Sequence, residues 1–371
     1  LWRGRLPTGI DRVCLAYLEE FADRSLAMLQ WGDRRIVLGA GASSALFVLL
    51  RNGGATRLNK KRLVTLLARA IPHSIIRPTN VSGLIYLNVG HTGLNSASLG
   101  NWLKRQRLRA VYLIHDLIPI THPEYCRSGE AEKHAVRMRT ALRSASGIIV
   151  NSASTGDELA TFARSEGLPV APILVAHLGI ETLPESGKSS PSPRPYFLSI
   201  GTIEGRKNHI LLLRLWARLR ANLAQCAPDL ILIGQRGWEA GETFALLDGP
   251  QHAHGKIIEL SHCSDAELAA WIDHAQALLM PSHVEGFGLP VLEALARGTP
   301  VIATDLPVYR EIAQAIPLLI DPSDEDAWLQ AIVEYTADGP TREKQRRLAA
   351  SYQPPDWPRH MNRVHPWLAT L

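Results

Sequence analysis

The sequence predicts an α/β protein made of two doubly wound domains, each a parallel sheet with helices on both faces, set in tandem around a cleft. Three observations carry this reading. Between Tyr196 and Leu319, short apolar runs alternate with amphipathic helical stretches. The N-terminal half repeats the theme less cleanly, and a Pro- and Ser-rich stretch, Pro184 to Pro195, separates the two halves. The runs are continuously apolar, with none of the polar alternation of a half-wet strand, so they belong to strands buried on both faces.

In chain order, the first half offers RRIVLG (Arg34 to Gly39), GLIYLNV (Gly83 to Val89), AVYLIHD (Ala110 to Asp116), GIIVNS (Gly147 to Ser152) and ILVAHLG (Ile173 to Gly179). The second half offers YFLSIG (Tyr196 to Gly201), DLILIG (Asp229 to Gly234), KIIEL (Lys256 to Leu260), ALLMP (Ala277 to Pro281), PVIAT (Pro300 to Thr304) and PLLI (Pro317 to Ile320). The expected division is a first domain over 1–183, a linker over 184–195 and a second domain over 196–354. The segment 355–371, with Trp357 and Trp367, reads as a helix that crosses back onto the first domain, since two exposed tryptophans so close together would be unusual. Ligands of open α/β sheets bind beyond the carboxyl ends of the strands, which places the site in the cleft.

A chain of 371 residues, 46% hydrophobic and 20% charged, has enough apolar material for such cores and is neither a disordered tail nor a mini-scaffold. Its four cysteines, Cys14, Cys126, Cys226 and Cys263, are scattered, which argues against a disulfide framework or structural zinc and suits a reducing cytosol. No apolar run approaches the roughly 20 residues of a membrane span, and the opening residues lack a signal peptide's apolar core. The expected location is cytoplasmic, peripheral on the inner membrane face.

Charge is divided unevenly. Residues 1–175 carry 23 Lys and Arg against 12 Asp and Glu, and the remainder 17 against 23. Basic clusters at Arg57 to Arg62 and Lys104 to Arg109 can attract an anionic membrane surface or phosphate-rich partners. Neither is interleaved with aromatics or accompanied by a helix-turn-helix pattern, so nucleic acid is not an expected partner.

Two motifs carry chemistry. In PSHVEGFGLPVLEALARG (Pro281 to Gly298), a strand end turns through Gly286 and Gly288 into a helix with Pro290 near its start and Gly298 beyond its end. Glu285 sits on the loop and Glu293 on the helix, where both can face one ligand, and the amides of Phe287, Gly288 and Leu289 lie at a helix N-terminus suited to phosphate. In GTIEGRKN (Gly201 to Asn208), Arg206 and Lys207 follow the second domain's first strand and can neutralise a diphosphate. Carboxylates for hydroxyls, with cations and amides for phosphate, fit a sugar nucleotide.

With these motifs the chain resembles the glycosyltransferase family 4 type of retaining enzymes with the GT-B fold, in which two Rossmann-like domains face a central cleft. IHDLIP (Ile114 to Pro119), IIVNS followed by Glu158 and Leu159, the VAHLGI strand end, GTPVIATDLPVYREI (Gly298 to Ile312) and PTGIDRV (Pro7 to Val13) match as well. The resemblance implies that Arg206 and Lys207 hold the diphosphate, that Glu293 holds the ribose, and that Glu285 with the amides of Phe287 to Leu289 meets the donor sugar and β-phosphate. His115 would lie beside the sugar, although an imidazole at an apolar strand end also reads as a satisfied core group. Gly9 would lie on the loop closing over the phosphates. Many members carry a basic residue where this chain has Thr202, so Arg206 takes that share of the charge.

The implied reaction moves a sugar from an NDP-sugar, GDP- or UDP-linked, to a hydroxyl of a glycan or lipid-linked acceptor in surface polysaccharide assembly, with retention at the anomeric carbon. The first domain would hold the acceptor and the second the donor. Fixed cations and amides near the leaving group supply the main stabilisation, so neither metal nor cofactor is expected. Asp324 to Asp326 reads as a helix N-terminus, and His252, His254, His262 and Cys263 lack metal-ligand spacing. The competing readings are a GT-B sugar-nucleotide epimerase and a non-catalytic sugar-nucleotide-binding protein.

Overall fold

The computed structural model describes residues 8–51, 57–187, 189–249 and 256–371. Its first half contains β1 (Met28–Trp31), β2 (Arg34–Val37), β3 (Ile85–Asn88), β4 (Arg109–Ile114), β5 (Ala145–Val150) and β6 (Ile173–Val175). The last four form a parallel sheet in the order β3-β4-β5-β6. The run at Arg34 departs from expectation, because β2 pairs antiparallel with β1 as a separate two-stranded ribbon. The reason is local: only Gly32 and Asp33 separate the strands, and Gly32, at φ +57°, supplies the left-handed turn that a two-residue hairpin needs.

The second half contains β7 (Tyr196–Ile200), β8 (Asp229–Ile233), β9 (Ile257–Leu260), β10 (Leu278–Met280), β11 (Val301–Thr304) and β12 (Leu318–Ile320). They form one all-parallel sheet in the order β12-β11-β10-β7-β8-β9. The chain leaves β7 toward β8 on one side and returns through β10 on the other. The loops after β7 and β10 therefore diverge, which opens a crevice at their carboxyl ends. Both chemical motifs lie on these loops.

Apolar packing covers both faces of the second sheet. On one face Phe197, Leu230, Leu279 and Ile302 pack with the fully buried Trp216 and Trp328. On the other, Leu198, Ile231, Met280 and Val301 belong to an apolar cluster that also takes in Val111, Leu113 and Ile149 of the first sheet. Helix α1 (Gly9–Phe21) joins it through Val13 and Tyr17. Its N-terminus is held by a reciprocal cap, in which Thr8 accepts from the Asp11 amide while the Asp11 carboxylate accepts from the Thr8 amide.

The C-terminal helix, Trp357–Thr370, packs on the first half of the chain through Met361, Val364 and Leu368. His360 fixes the contact: its Nδ1–H donates to the His177 carbonyl at 2.9 Å, which leaves Nε2 to accept from the Tyr17 hydroxyl at 2.7 Å. Burial lowers its pKa, as this neutral tautomer requires. The Glu311 carboxylate, on the helix Pro307–Ala313, accepts from the amides of Ala153 and Ser154 at 2.8 and 3.3 Å, capping the helix Ala153–Ser165 from across the cleft. The described residues of 184–195 have no regular secondary structure. No helix among the described residues is long and apolar enough to cross a membrane.

Gly179 lies so close to the backbone of Asp356 and Trp357 that a Cβ there would overlap main-chain atoms. Gly179→Ala is therefore expected to cost roughly 2 kcal/mol in urea unfolding, with faster proteolytic release of the C-terminal helix than in wild type.

Candidate active site

The loop after β7 runs through Gly201, Thr202, Ile203 and Glu204 into a tight turn at Gly205–Lys207, and Asn208, at φ +53°, starts the next helix. That turn presents Arg206 and Lys207 toward the loop after β10, and the two loops are tied by the His283 amide donating to the Arg206 carbonyl at 2.8 Å. The Glu285 side chain lies between them, 6% exposed. Its carboxylate accepts from Lys207 Nζ at 2.5 Å, from an Arg206 terminal nitrogen at 2.8 Å and from the Ser282 hydroxyl at 2.7 Å. Arg206 turns its Nε to Glu204 at 2.6 Å, so two carboxylates and two cations neutralise each other. Burial alone would raise the pKa of Glu285, but Lys207 and Arg206 outweigh it and hold the group at about 2. Tyr309 stands beside this carboxylate, its own pKa driven well up by burial.

The opposite wall comes from the first sheet. His115 ends β4 and is buried, with Nε2–H donating to the Val89 carbonyl at 2.7 Å. Burial lowers its pKa, so Nδ1 is an unprotonated acceptor at neutral pH. Gly286 meets this wall directly: a Cβ there would lie 2.9 Å from both the Asp116 side chain and the His115 carbonyl. Only glycine lets the two loops approach so closely. His115 is also 5.3 Å, ring to ring, from His91, whose pKa burial and the neighbouring His115 and His134 push down to about 3.

Gly288, at φ +97°, turns the chain into the helix Leu289–Ala296. Gly9 faces the start of that helix, where a Cβ would lie 3.8 Å from Leu289. Phe287 is buried near His177. Glu293 is buried on the same helix and paired at 2.7 Å with Arg12 of α1, which also reaches Glu181 at 3.5 Å. Thr202 packs near Gly237, where a Cβ would lie 2.6 Å from its methyl group. The structure thus gathers Arg206, Lys207 and Glu285 in one cluster, brings His115 against it through Gly286, and sets Glu293, Leu289 and Gly9 at the entry of the adjoining helix.

The family model for glycosyl transferases group 1 matches residues 184–351. The matched stretch is the second half of the chain, a little under half of its length. Among its relatives, the serotype-specific mannosyltransferase WbdA of Escherichia coli is 28% identical over 221 residues, covering 55% of this chain but 27% of the relative. The O-antigen chain mannosyltransferase B of Escherichia coli is 31% identical over 252 residues, 65% of each chain. The chain therefore matches little more than a quarter of the length of the first relative and somewhat under two thirds of the second. Among solved structures, HepE of Anabaena in complex with UDP-glucose superposes with a TM-score of 0.63 at 17% identity, over 99% of this chain and 97% of that one. The shared architecture is the GT-B fold expected from the sequence.

Several residues of this candidate site were not read from sequence. Glu204 stands two positions before Arg206 in the same loop, and Arg12 one turn after Gly9 on α1; each lay inside a recognised stretch, but its partner is remote in the chain. Tyr309 was hidden for the same reason. Asp324 caps the helix Glu325–Tyr335 by accepting from the Ala327 amide at 2.9 Å, as expected of that acidic run. His262 is exposed and Cys263 half-buried, while His252 and His254 fall outside the described residues.

Glu285→Gln is expected to lower stability by roughly 3 kcal/mol in urea unfolding, because it leaves Arg206 and Lys207 buried with one counter-charge too few. The pH response follows from half-buried His91 and buried His209, both depressed to about 3 by desolvation. A depressed imidazole must protonate against burial, so its stabilisation is complete above the ordinary value near 6.5. Stability should then fall progressively between pH 6.5 and about 3, by on the order of 1 kcal/mol per imidazole near pH 5.5. Thermal melts at pH 7.5 and 5.5 measure it, and His91→Asn should flatten the decline.

Proposed function

We propose that the chain transfers a sugar from a nucleoside-diphosphate donor to a hydroxyl of a glycan or lipid-linked acceptor, with retention at the anomeric carbon, in the assembly of a surface polysaccharide. The observation that carries this is the enclosed Arg206–Lys207–Glu285 cluster at the β7–β10 crevice, facing His115 across the cleft. The mannosyltransferase relatives favour mannose as the transferred sugar.

In this reading the diphosphate docks on Arg206 and Lys207, exchanging with Glu285 as their partner, while the amides of Phe287 to Leu289 take up the β-phosphate charge. Freed from the lysine, Glu285 turns to a donor-sugar hydroxyl. Glu293 accepts from the ribose in place of Arg12, and Gly9 leaves room for the loop to close over the phosphates. His115, neutral and with Nδ1 bare, accepts from a sugar hydroxyl. Charge developing on the departing diphosphate meets two fixed cations in a dry site, where such interactions are strongest. These groups supply the stabilisation that a metal would otherwise bring, so the reading assigns neither metal nor cofactor. We place the reaction in the cytoplasm at the inner face of a membrane, where a lipid-linked acceptor would be met.

A thermal-shift panel of UDP, GDP, ADP and dTDP and their sugars tests the site. One nucleotide should raise the melting temperature of wild type by several degrees, and this shift should vanish in Arg206→Ala measured against its own baseline. Acceptor-dependent release of that nucleotide from its sugar supports transfer. Interconversion of NDP-sugars without acceptor would replace it by the epimerase reading, and no shift with any nucleotide would remove the donor assignment.

A further inference from the structure

Tyr309 is the third residue of the helix Pro307–Ala313 and is fully buried. Its ring is pressed on the loop after β10: a Cβ at Gly288 would lie 2.5 Å from its Cε1, so the ring packs where only glycine leaves room. That packing needs the ring alone, and phenylalanine would supply it equally. The hydroxyl is the anomaly. It lies beside Ser282 and Glu285 and finds no well-directed hydrogen-bond partner among the described residues.

Other buried tyrosines of the chain are satisfied. The Tyr17 hydroxyl meets His360 and that of Tyr112 meets Ser144, while those of Tyr196 and Tyr352 donate to the carbonyls of Trp271 and Ile312, each at 2.7 or 2.8 Å. A buried hydroxyl without a partner gives up its bonds to water and gains none in return, so its presence calls for a second arrangement in which the bond is made.

Glu285 supplies the acceptor for that arrangement. Its Oε1 accepts from Lys207 and Ser282 at 2.5 and 2.7 Å, and its Oε2 from Arg206 at 2.8 Å. Two cations draw the carboxylate to themselves, and the phenol is left aside. The balance changes once those cations turn to another anion. In the proposed function Arg206 and Lys207 take up diphosphate oxygens, and Glu285 keeps Ser282 as its donor. A buried carboxylate with one donor is costly to keep charged. The phenol is the donor at hand. Burial and the adjacent carboxylate drive its pKa well up, so it holds its proton at neutral pH.

We propose that Tyr309 is a positioning residue of the donor site: when a diphosphate displaces Glu285 from Lys207 and Arg206, the Tyr309 hydroxyl donates to the freed carboxylate and, with Ser282, holds it ionised and aimed at the donor sugar. This deepens the proposed function and rests on that reading for the exchange itself.

Tyr309→Phe keeps the ring and removes the hydroxyl. Titration calorimetry of wild type and variant with UDP, GDP, ADP and dTDP, beside thermal melts without nucleotide, tests the role. Without nucleotide the variant should melt at or slightly above the wild-type temperature, because it buries one unpaired group fewer. The nucleotide that wild type binds should bind the variant about tenfold more weakly, since the displaced Glu285 lacks its second donor. In buffers of different ionisation heat, the variant should also take up more protons on binding than wild type, because a buried carboxylate short of donors protonates. Ser282→Ala marks the contrast: it removes a bond already made, at 2.7 Å, and should lower the melting temperature before any nucleotide is added. Equal affinity and equal proton uptake in Tyr309→Phe and wild type would overturn the proposal and leave the donor site standing. So would a melting temperature several degrees below wild type without nucleotide, which would make the hydroxyl a structural bond. If no nucleotide binds wild type, the exchange and this role fall together.

Discussion

A carboxylate as little exposed as that of Glu285 is tolerable only while it is charged and matched, and the architecture around the crevice follows from that constraint. Its three donors come from two loops, Lys207 and Arg206 from the one after β7 and Ser282 from the one after β10. The parallel sheet must therefore bring β7 beside β10, although 77 residues separate the end of the first strand from the start of the second. Glu204 then absorbs the remaining reach of Arg206. A cluster of zero net charge is a poor trap for anions at long range. In the proposed function it serves as an exchange site at short range, where a diphosphate would replace one set of oxygens around the same nitrogens by another.

Besides the apolar cluster that spans both sheets, a few specific devices join the two halves. Arg12 reaches from α1 to Glu293, Glu311 caps the helix after β5, and Gly286 rests on the His115–Asp116 wall. Each joins a residue near the site to an element of the other half. The C-terminal helix closes the circuit from behind through His360, whose single neutral tautomer satisfies both Tyr17 and the His177 carbonyl.

Much of the fold was legible because strands buried on both faces leave an unmistakable record in sequence. All six runs of the second half became strands, and four of the five in the first half joined one parallel sheet. The exception, RRIVLG, has a strand's composition, but composition does not name a partner; the Gly32–Asp33 turn chose the antiparallel neighbour. The motif residues were legible as well, since Glu285, Arg206 and Lys207 sit at strand ends where α/β proteins bind ligands. Arg12, Glu204 and Tyr309 were not, because nothing in their local spacing distinguishes them from surface residues.

By itself the sequence determined the class of the protein: the succession of buried strands, the turns that end them, and the residue types that wait on the loops. These are local properties, set by hydrophobic periodicity and by glycine and proline chemistry over a few residues. Only the tertiary structure decided which charges neutralise which. That Glu285 is held by Lys207 and Arg206, and that Glu293 is met by Arg12, depends on distances between elements remote in the chain. Coulomb energy and burial act through space, and sequence order does not record them.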